Sequence, residues 1–245
     1  MPELKFLDRD GRRLAYRFRE GDGPAIIFLP GYMSDMDGTK ALALDAWAEA
    51  QGRAMLRFDY GGCGQSEGAF EDQALSDWWD DTLHVIDTVV RGPCVIVGSS
   101  MGGWLMLLTA LARSTQVKGL VGIAAAPDFT SWGFSDSEKA TIRGMGRLEE
   151  ASPHGDQPYV TTRTFWESGE KLKLLEGPID IRCPVRLLHG LNDDDVPFAI
   201  SLNIMDRVRS SDVQATLIKD GDHRLSRDSD IALLIRTVGG LLEAL

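Results

Sequence analysis

The chain has 245 residues, 43% of them hydrophobic, which suits one large α/β domain with one extended core. Lys plus Arg number 26 against 37 Asp plus Glu, a net charge of -11 that no long basic block offsets, which argues against a nucleic-acid or anionic-membrane surface. No apolar run reaches the roughly 18 residues of a membrane span, so stable membrane insertion is not expected.

Two short strands, 4–7 and 14–18, flank Asp8-Arg9-Asp10-Gly11 and read as a hairpin with a tight turn. Ala25 to Leu29 is a continuous apolar run, as a strand buried on both faces requires, and it stops at Pro30-Gly31-Tyr32. A helix is expected over 41–51, a strand over 54–58 and a helix from Leu75 to Val90, where Trp78, Thr82, Ile86 and Val90 keep a helical period. Strands follow at 95–97 and 117–123, with a helix between them. Strands alternating with helices imply a mostly parallel sheet covered on both faces, with the ligand site beyond the carboxyl ends of the strands. Pro30, Asp59 and Ser100 all fall at such ends.

From 127 to 182 the alternation fails. This interval is read as a small helical cap inserted in a single domain, with helices near 137–150 and 160–175. Its Phe129, Trp132, Phe134, Met145, Phe165 and Trp166 are candidates for an acyl-binding wall. The sheet resumes at 185–189, a helix is expected over 199–208 and a last strand over 213–218. A final helix carries Ile231, Leu234, Ile235, Val238, Leu241 and Leu242 on its apolar face.

The chemistry centres on Gly98-Ser99-Ser100-Met101-Gly102, a Gly-x-Ser-x-Gly between a strand and a helix. Glycines leave room for a sharp turn that holds the Ser100 hydroxyl clear of the sheet. A serine nucleophile needs a base, and the base needs an acid that orients it. Of the four histidines, His84 falls inside a helix, His154 in the cap and His189 at a strand end, where it shapes the next loop. His223 follows the last strand, where the base of a Ser, acid, His order belongs. The acid belongs to the loop His189 to Pro197, whose Asp193, Asp194 and Asp195 are equal candidates on spacing alone. Oxyanion donors are expected from the backbone N–H groups of Met101 and Tyr32. No metal site is expected, since no histidine pair has ligand spacing and His-Glu-x-x-His is absent. Gly61-Gly62-Cys63-Gly64 lacks the spacing of a dinucleotide loop and reads as a tight turn, so no cofactor is expected. Cys63, Cys94 and Cys183 do not suggest a disulfide framework. The N-terminus carries neither a signal-peptide nor an Arg-rich transit pattern, so a cytoplasmic protein is expected, with a processed organellar form as the alternative.

Together these segments resemble the α/β-hydrolase superfamily along the whole chain. Within it, the chain is similar to the mitochondrial palmitoyl-protein thioesterase group and its bacterial relatives. The resemblance rests on the segments Phe28 to Ala41, Arg57 to Ser66, Gly98 to Trp104, Ile181 to Gly190 and Gly221 to Ser226. It implies an α/β-hydrolase fold with about eight strands, Ser100 as nucleophile, His223 as base and no cofactor. The family pattern His-Gly-x-x-Asp-x-x-Val-Pro places the acid on Asp193, with Val196 and Pro197 closing the match. One departure is Pro30-Gly31, where His-Gly is common in the family. The implied substrate is an acyl thioester or ester, with an acylated protein among the carriers. A short-chain carboxylesterase is the nearer alternative, and a non-catalytic interaction protein on this scaffold the more distant one.

Overall fold

The computed structural model describes residues 1–151 and 158–245. His154, expected in the cap, lies outside the described residues. The chain opens with β1 (Lys5–Arg9) and β2 (Arg12–Arg19), an antiparallel pair joined at Asp10-Gly11, where φ is 53° and 80°. Two successive positive φ values are what a two-residue hairpin turn requires. β3 (Asp22–Leu29), α1 (Thr39–Ala50), β4 (Arg53–Phe58), α2 (Leu75–Val89), β5 (Cys94–Ser99), α3 (Met101–Ala112) and β6 (Val117–Ile123) follow in strict alternation.

The continuous apolar runs become two cores, because successive side chains of a strand face opposite ways. On β3, Ala25, Ile27 and Leu29 point to the face covered by α2 and α3, whereas Ile26 and Phe28 point to the face of α1 and the final helix. β5 divides in the same way, with Cys94 and Ile96 on one side and Val95 and Val97 on the other.

Beyond β6 the chain leaves the sheet. It forms a one-turn helix α4 (Phe129–Trp132), then α5 (Asp136–Met145), the strands β7 (Arg147–Glu150) and β8 (Tyr159–Thr162), and α6 (Arg163–Lys171). The expectation of helices over 137–150 and 160–175 is corrected here. α5 stops at Gly146, whose φ of 85° gives the left-handed residue that commonly closes a helix. β7 and β8 pair as an antiparallel ribbon, Arg147 opposite Thr162 and Glu150 opposite Tyr159. Tyr159-Val160-Thr161-Thr162 is an aromatic and β-branched run that favours a strand, and Thr162 then caps α6 by accepting from Phe165 N–H.

β9 (Val185–Gly190), α7 (Ala199–Arg207), β10 (Val213–Ile218) and α8 (Asp228–Glu243) complete the fold. The eight-stranded sheet has the order β1-β2-β4-β3-β5-β6-β9-β10, parallel from β4 onward. β4 lies on one side of β3, and β5 on the other. The connections therefore diverge at β3 and β5, and this switch point opens a crevice at their carboxyl ends. Pro30 and Ser100 sit at that opening.

The turn at Ser100 depends on the glycines around it. A Cβ at Gly98 would lie 2.4 Å from the Gly102 carbonyl oxygen, and one at Gly102 would lie 2.1 Å from that of Leu29. Both obstacles are backbone. Gly102→Ala should therefore cost about 3 kcal/mol or more in urea unfolding. Gly144→Ala, whose Cβ would meet open space within α5, should instead stabilise by about 0.5–1 kcal/mol.

Candidate active site

Ser100 links β5 to α3 with φ 54° and ψ -120°, a strained conformation for a residue with a side chain. Its N–H donates to Ile123 O at 2.9 Å, and its carbonyl accepts from Gly103 N–H at 2.8 Å and Ala126 N–H at 3.0 Å. The strained unit is thus held from β6 and from α3. Met101 opens α3, so its N–H has no partner within the helix. The loop after β3 passes directly above: a Cβ at Gly31 would lie 3.3 Å from Ser100 Cβ. That contact brings the Tyr32 backbone alongside the elbow. The Tyr32 ring turns away, packs against Phe70, Trp78, Phe129 and Phe165, and donates its hydroxyl to Val160 O.

His223 Nε2 lies 3.1 Å from Ser100 Oγ, and His223 Nδ1 lies 2.9 Å from Asp193 Oδ2. The acid and base loops meet because β9 and β10 end in glycine contacts. A Cβ at Gly190 would lie 2.2 Å from Gly221 O, and Asn192 N–H donates to that same carbonyl at 2.9 Å. Asp193 alone of the three adjacent aspartates reaches His223 by a hydrogen bond. Its carboxylate also accepts from Asp195 N–H at 3.0 Å and Val196 N–H at 2.8 Å. Burial would raise this carboxyl, but hydrogen bonds from His189 and His223 outweigh it and hold Asp193 well below the usual carboxylate range. An ionised carboxylate is what an acid that orients an imidazole requires.

A cavity of about 530 Å³ opens over Ser100 and His223, within the usual range of small-ligand sites. Among the predicted wall residues, Phe129, Trp132 and Phe134 line it. The other three are corrected. Met145 ends α5 pointing outward and is 79% exposed. Phe165, on the inner face of α6, is drawn into the core against Tyr32, Trp78 and Phe129. Trp166 is tied by its indole N–H to Thr130 O and lies beneath the Arg143 guanidinium. Their place is taken by Tyr159 and Thr161 of β8, which the helical reading of that stretch concealed. Polar lining comes from Lys40, Glu150, Asp195 and Arg224. Lys40 donates to the Arg224 carbonyl, and burial lowers its pKa to about 8.

Among the described residues one group has metal-ligand spacing, Asp193, Asp195 and His223, with ligand-type atoms within 4.8 Å of one another. Two of the three are already hydrogen-bonded to each other. Cys63 is buried and pushed up to about 12 by desolvation and by Asp59, Asp81 and Asp35, so its thiol stays protonated at neutral pH.

The fold and this constellation of hydroxyl, imidazole and carboxylate define a serine hydrolase of the α/β-hydrolase superfamily, acting on acyl groups. The family described as Serine aminopeptidase, S33 matches residues 23–163. Along 99% of its length the chain is 42% identical to the human mitochondrial palmitoyl-protein thioesterase ABHD10, covering 81% of that protein. The solved mouse structure of α/β-hydrolase domain-containing protein 10 superposes with a TM-score of 0.93 at 39% identity, 99% of each chain being covered. A hydrolase structure from Agrobacterium vitis S4 gives 0.91 at 37% identity, over 99% of this chain and 98% of that one. The chain therefore belongs to the ABHD10 branch of the α/β hydrolases. The expectation of a cytoplasmic protein is overturned by the same relatives, which match along 99% of the chain and are named mitochondrial in human, orangutan, cattle, mouse and rat.

Sequence reasoning placed Asp59 at a strand end without giving it a role; it directly follows β4. It accepts from Met36 N–H at 2.7 Å and Gln65 N–H at 2.8 Å, pinning the loop that carries Tyr32 to the next strand. Burial raises its pKa from 3.8 to about 6, against the pull of those two N–H groups. Between pH 4 and 6 the folded protein keeps a proton that the unfolded chain has released, so stability falls as pH rises through this window. The stability of wild type relative to Asp59→Asn should fall by about 2–3 kcal/mol between pH 4 and pH 7 in urea unfolding.

Proposed function

We propose that Ser100, His223 and Asp193 form the catalytic triad of an acyl thioesterase, with the N–H groups of Tyr32 and Met101 as the oxyanion hole. The supporting observation is the line of hydrogen bonds from Ser100 Oγ through the His223 ring to Asp193, at the floor of a partly aromatic cavity. Ser100 Oγ attacks the acyl carbonyl as His223 Nε2 takes its proton. The tetrahedral oxyanion is received by the two N–H groups. Collapse breaks the bond to sulfur, and the imidazolium returns its proton to the leaving thiolate. Water, deprotonated by His223, then releases the acid from the acyl enzyme. Asp193 holds the Nδ1–H tautomer and stabilises the imidazolium in both halves.

The interval 127–182 acts as a cap inserted in one α/β-hydrolase domain. Its Phe129, Trp132 and Phe134 receive the acyl chain, each buried CH₂ contributing about 0.8 kcal/mol. A long-chain acyl group on a protein cysteine is the favoured substrate, on the strength of these aromatics and of the palmitoyl-protein thioesterases to which the chain is similar.

A fluorophosphonate should label wild type at Ser100, and Ser100→Ala should lose both labelling and turnover. Asp193→Asn should lower kcat by about 10⁴, as the same change does in a protease triad. Asp194→Asn and Asp195→Asn should cost far less. Full activity in Asp193→Asn would reject the assignment of the acid.

Substrate class is read from kcat/KM against acyl length for matched thioesters and oxyesters. Efficiency should rise from C4 to C16 with a thioester preference. A steep fall beyond C4, with no gain for thioesters, would leave a short-chain carboxylesterase.

A further inference from the structure

Asp193 has two imidazole neighbours. His189, the penultimate residue of β9, is fully buried, with Nε2 3.2 Å from Asp193 Oδ2, the oxygen that His223 Nδ1 approaches at 2.9 Å. The same Nε2 lies 2.8 Å from the Val196 carbonyl, and Nδ1 lies 2.7 Å from Ser201 Oγ in the first turn of α7. A carbonyl oxygen only accepts, so the proton on this ring must sit on Nε2. That N–H donates to Val196 O, and Asp193 Oδ2 lies beside it, 3.2 Å from the same nitrogen. The ring is clamped at both nitrogens by groups that are themselves in the acid loop or in the helix after it.

We infer that His189 is a positioning residue for the serine hydrolase reaction, a second N–H donor that shares the charge of Asp193 Oδ2 and so sets the proton affinity of His223. This rests on the triad reading given above. A bare carboxylate attracts a proton to His223 with its full charge; one whose oxygen already accepts a second N–H attracts it less. Withdrawing the His189 donor therefore strengthens the Asp193–His223 interaction and makes His223 harder to deprotonate. The acid limb of kcat/KM, where the base must lose its proton, moves to higher pH. A purely structural role gives a different result. If losing His189 only slackened the acid loop, Asp193 would draw away from His223, and the limb would stay or move to lower pH.

The other ionisable groups around His223 are unchanged by the substitution. They are Asp195 from the same loop as Asp193, Asp222 and Arg224 beside His223, and Lys40, Glu150 and Tyr159 across the cavity. A difference between variants therefore reports on His189.

The test compares pH profiles of kcat/KM, on one activated acyl ester, for wild type, His189→Leu and His189→Gln. The glutamine amide can return an N–H near the position of Nε2. The acid limb should move up by about half a pH unit or more in His189→Leu and stay near wild type in His189→Gln. A limb that stays or moves down in His189→Leu overturns the inference. So does one that moves as far in the glutamine variant as in the leucine variant. Should the variants fail to fold, ¹⁵N-histidine NMR of wild type decides. With four histidines in the chain the signals can be assigned, and His189 should carry its proton on Nε2 and couple across a hydrogen bond to the Asp193 carboxylate. A bare Nε2 overturns the inference. This measurement needs no turnover, so it separates failure of the inference from failure of the triad reading, which fluorophosphonate labelling of Ser100 reports on its own.

Discussion

The site depends on one residue held where its backbone does not want to be. A serine at φ 54° and ψ -120° is strained by about 1–3 kcal/mol, and it stays there only because its surroundings allow nothing else. β6 takes its N–H, and α3 and the loop beyond β6 take its carbonyl. Gly98 and Gly102 let β5, α3 and the end of β3 close around it at distances that no side chain would permit. The consequence is geometric. The hydroxyl stands clear of the sheet at the switch point between β3 and β5, where loops from the other strands can reach it.

Those loops are organised by a device repeated along the sheet edge. After β4, β6 and β9 the chain places a buried aspartate whose carboxylate collects backbone N–H groups. Asp59 holds Met36 and Gln65, Asp128 holds Leu174 and Leu175, and Asp193 holds Asp195 and Val196. Burying an ionised carboxylate is costly unless it is paired or well hydrogen-bonded. The three differ in how fully that cost is met. Among the described residues Asp59 and Asp128 have only backbone donors, and burial leaves both with raised pKa values. Asp193 has two imidazoles in addition, and it alone of the three is shifted downward. Asp128 also ties the start of the excursion between β6 and β9 to its end, so the aromatic wall over Ser100 is fastened at its root.

Much of this was readable from the chain, and the misses have physical causes. The strand-to-helix switch at Ser100 and the position of His223 beyond the last strand announce themselves through glycine, hydroxyl and imidazole at fixed places in a periodic pattern. Asp193 did not separate from Asp194 and Asp195 on spacing, because the selection is made by the Gly190–Gly221 contact, which joins residues 31 apart in the chain and leaves no local signal. The ribbon of β7 and β8 was hidden because apolar spacing in a short polar segment fits a helix as easily as a strand. The left-handed glycine at 146 and the β-branched run at 160–162 were the signals that separate them. Phe165 and Trp166 adjoin in sequence, yet a helix sends neighbours about 100° apart, so an aromatic count over 127–182 could not say which rings face the cavity. His189 looked like a loop former and is one. Its contact with Asp193 arises only when the loop folds back over the strand that carries it.

The environments of Cys63 and Ser100 support assigning the proposed chemistry to the weaker nucleophile by type. A thiol is intrinsically easier to ionise than a hydroxyl, and both side chains sit on loops at the same sheet edge. Cys63 is packed among buried groups, with Asp59, Asp81 and Asp35 as its charged neighbours, so desolvation and like charge both oppose a thiolate. Ser100 has the reverse. An imidazole nitrogen lies within reach of its hydroxyl, the start of α3 lies behind it, and a cavity lies in front. In the proposed reaction the serine never has to exist as a free alkoxide, because its proton would move to His223 as the bond to carbon forms. What makes a side chain reactive here is the partner that takes its proton and the space that admits an acyl group, and among these two loops only Ser100 has both.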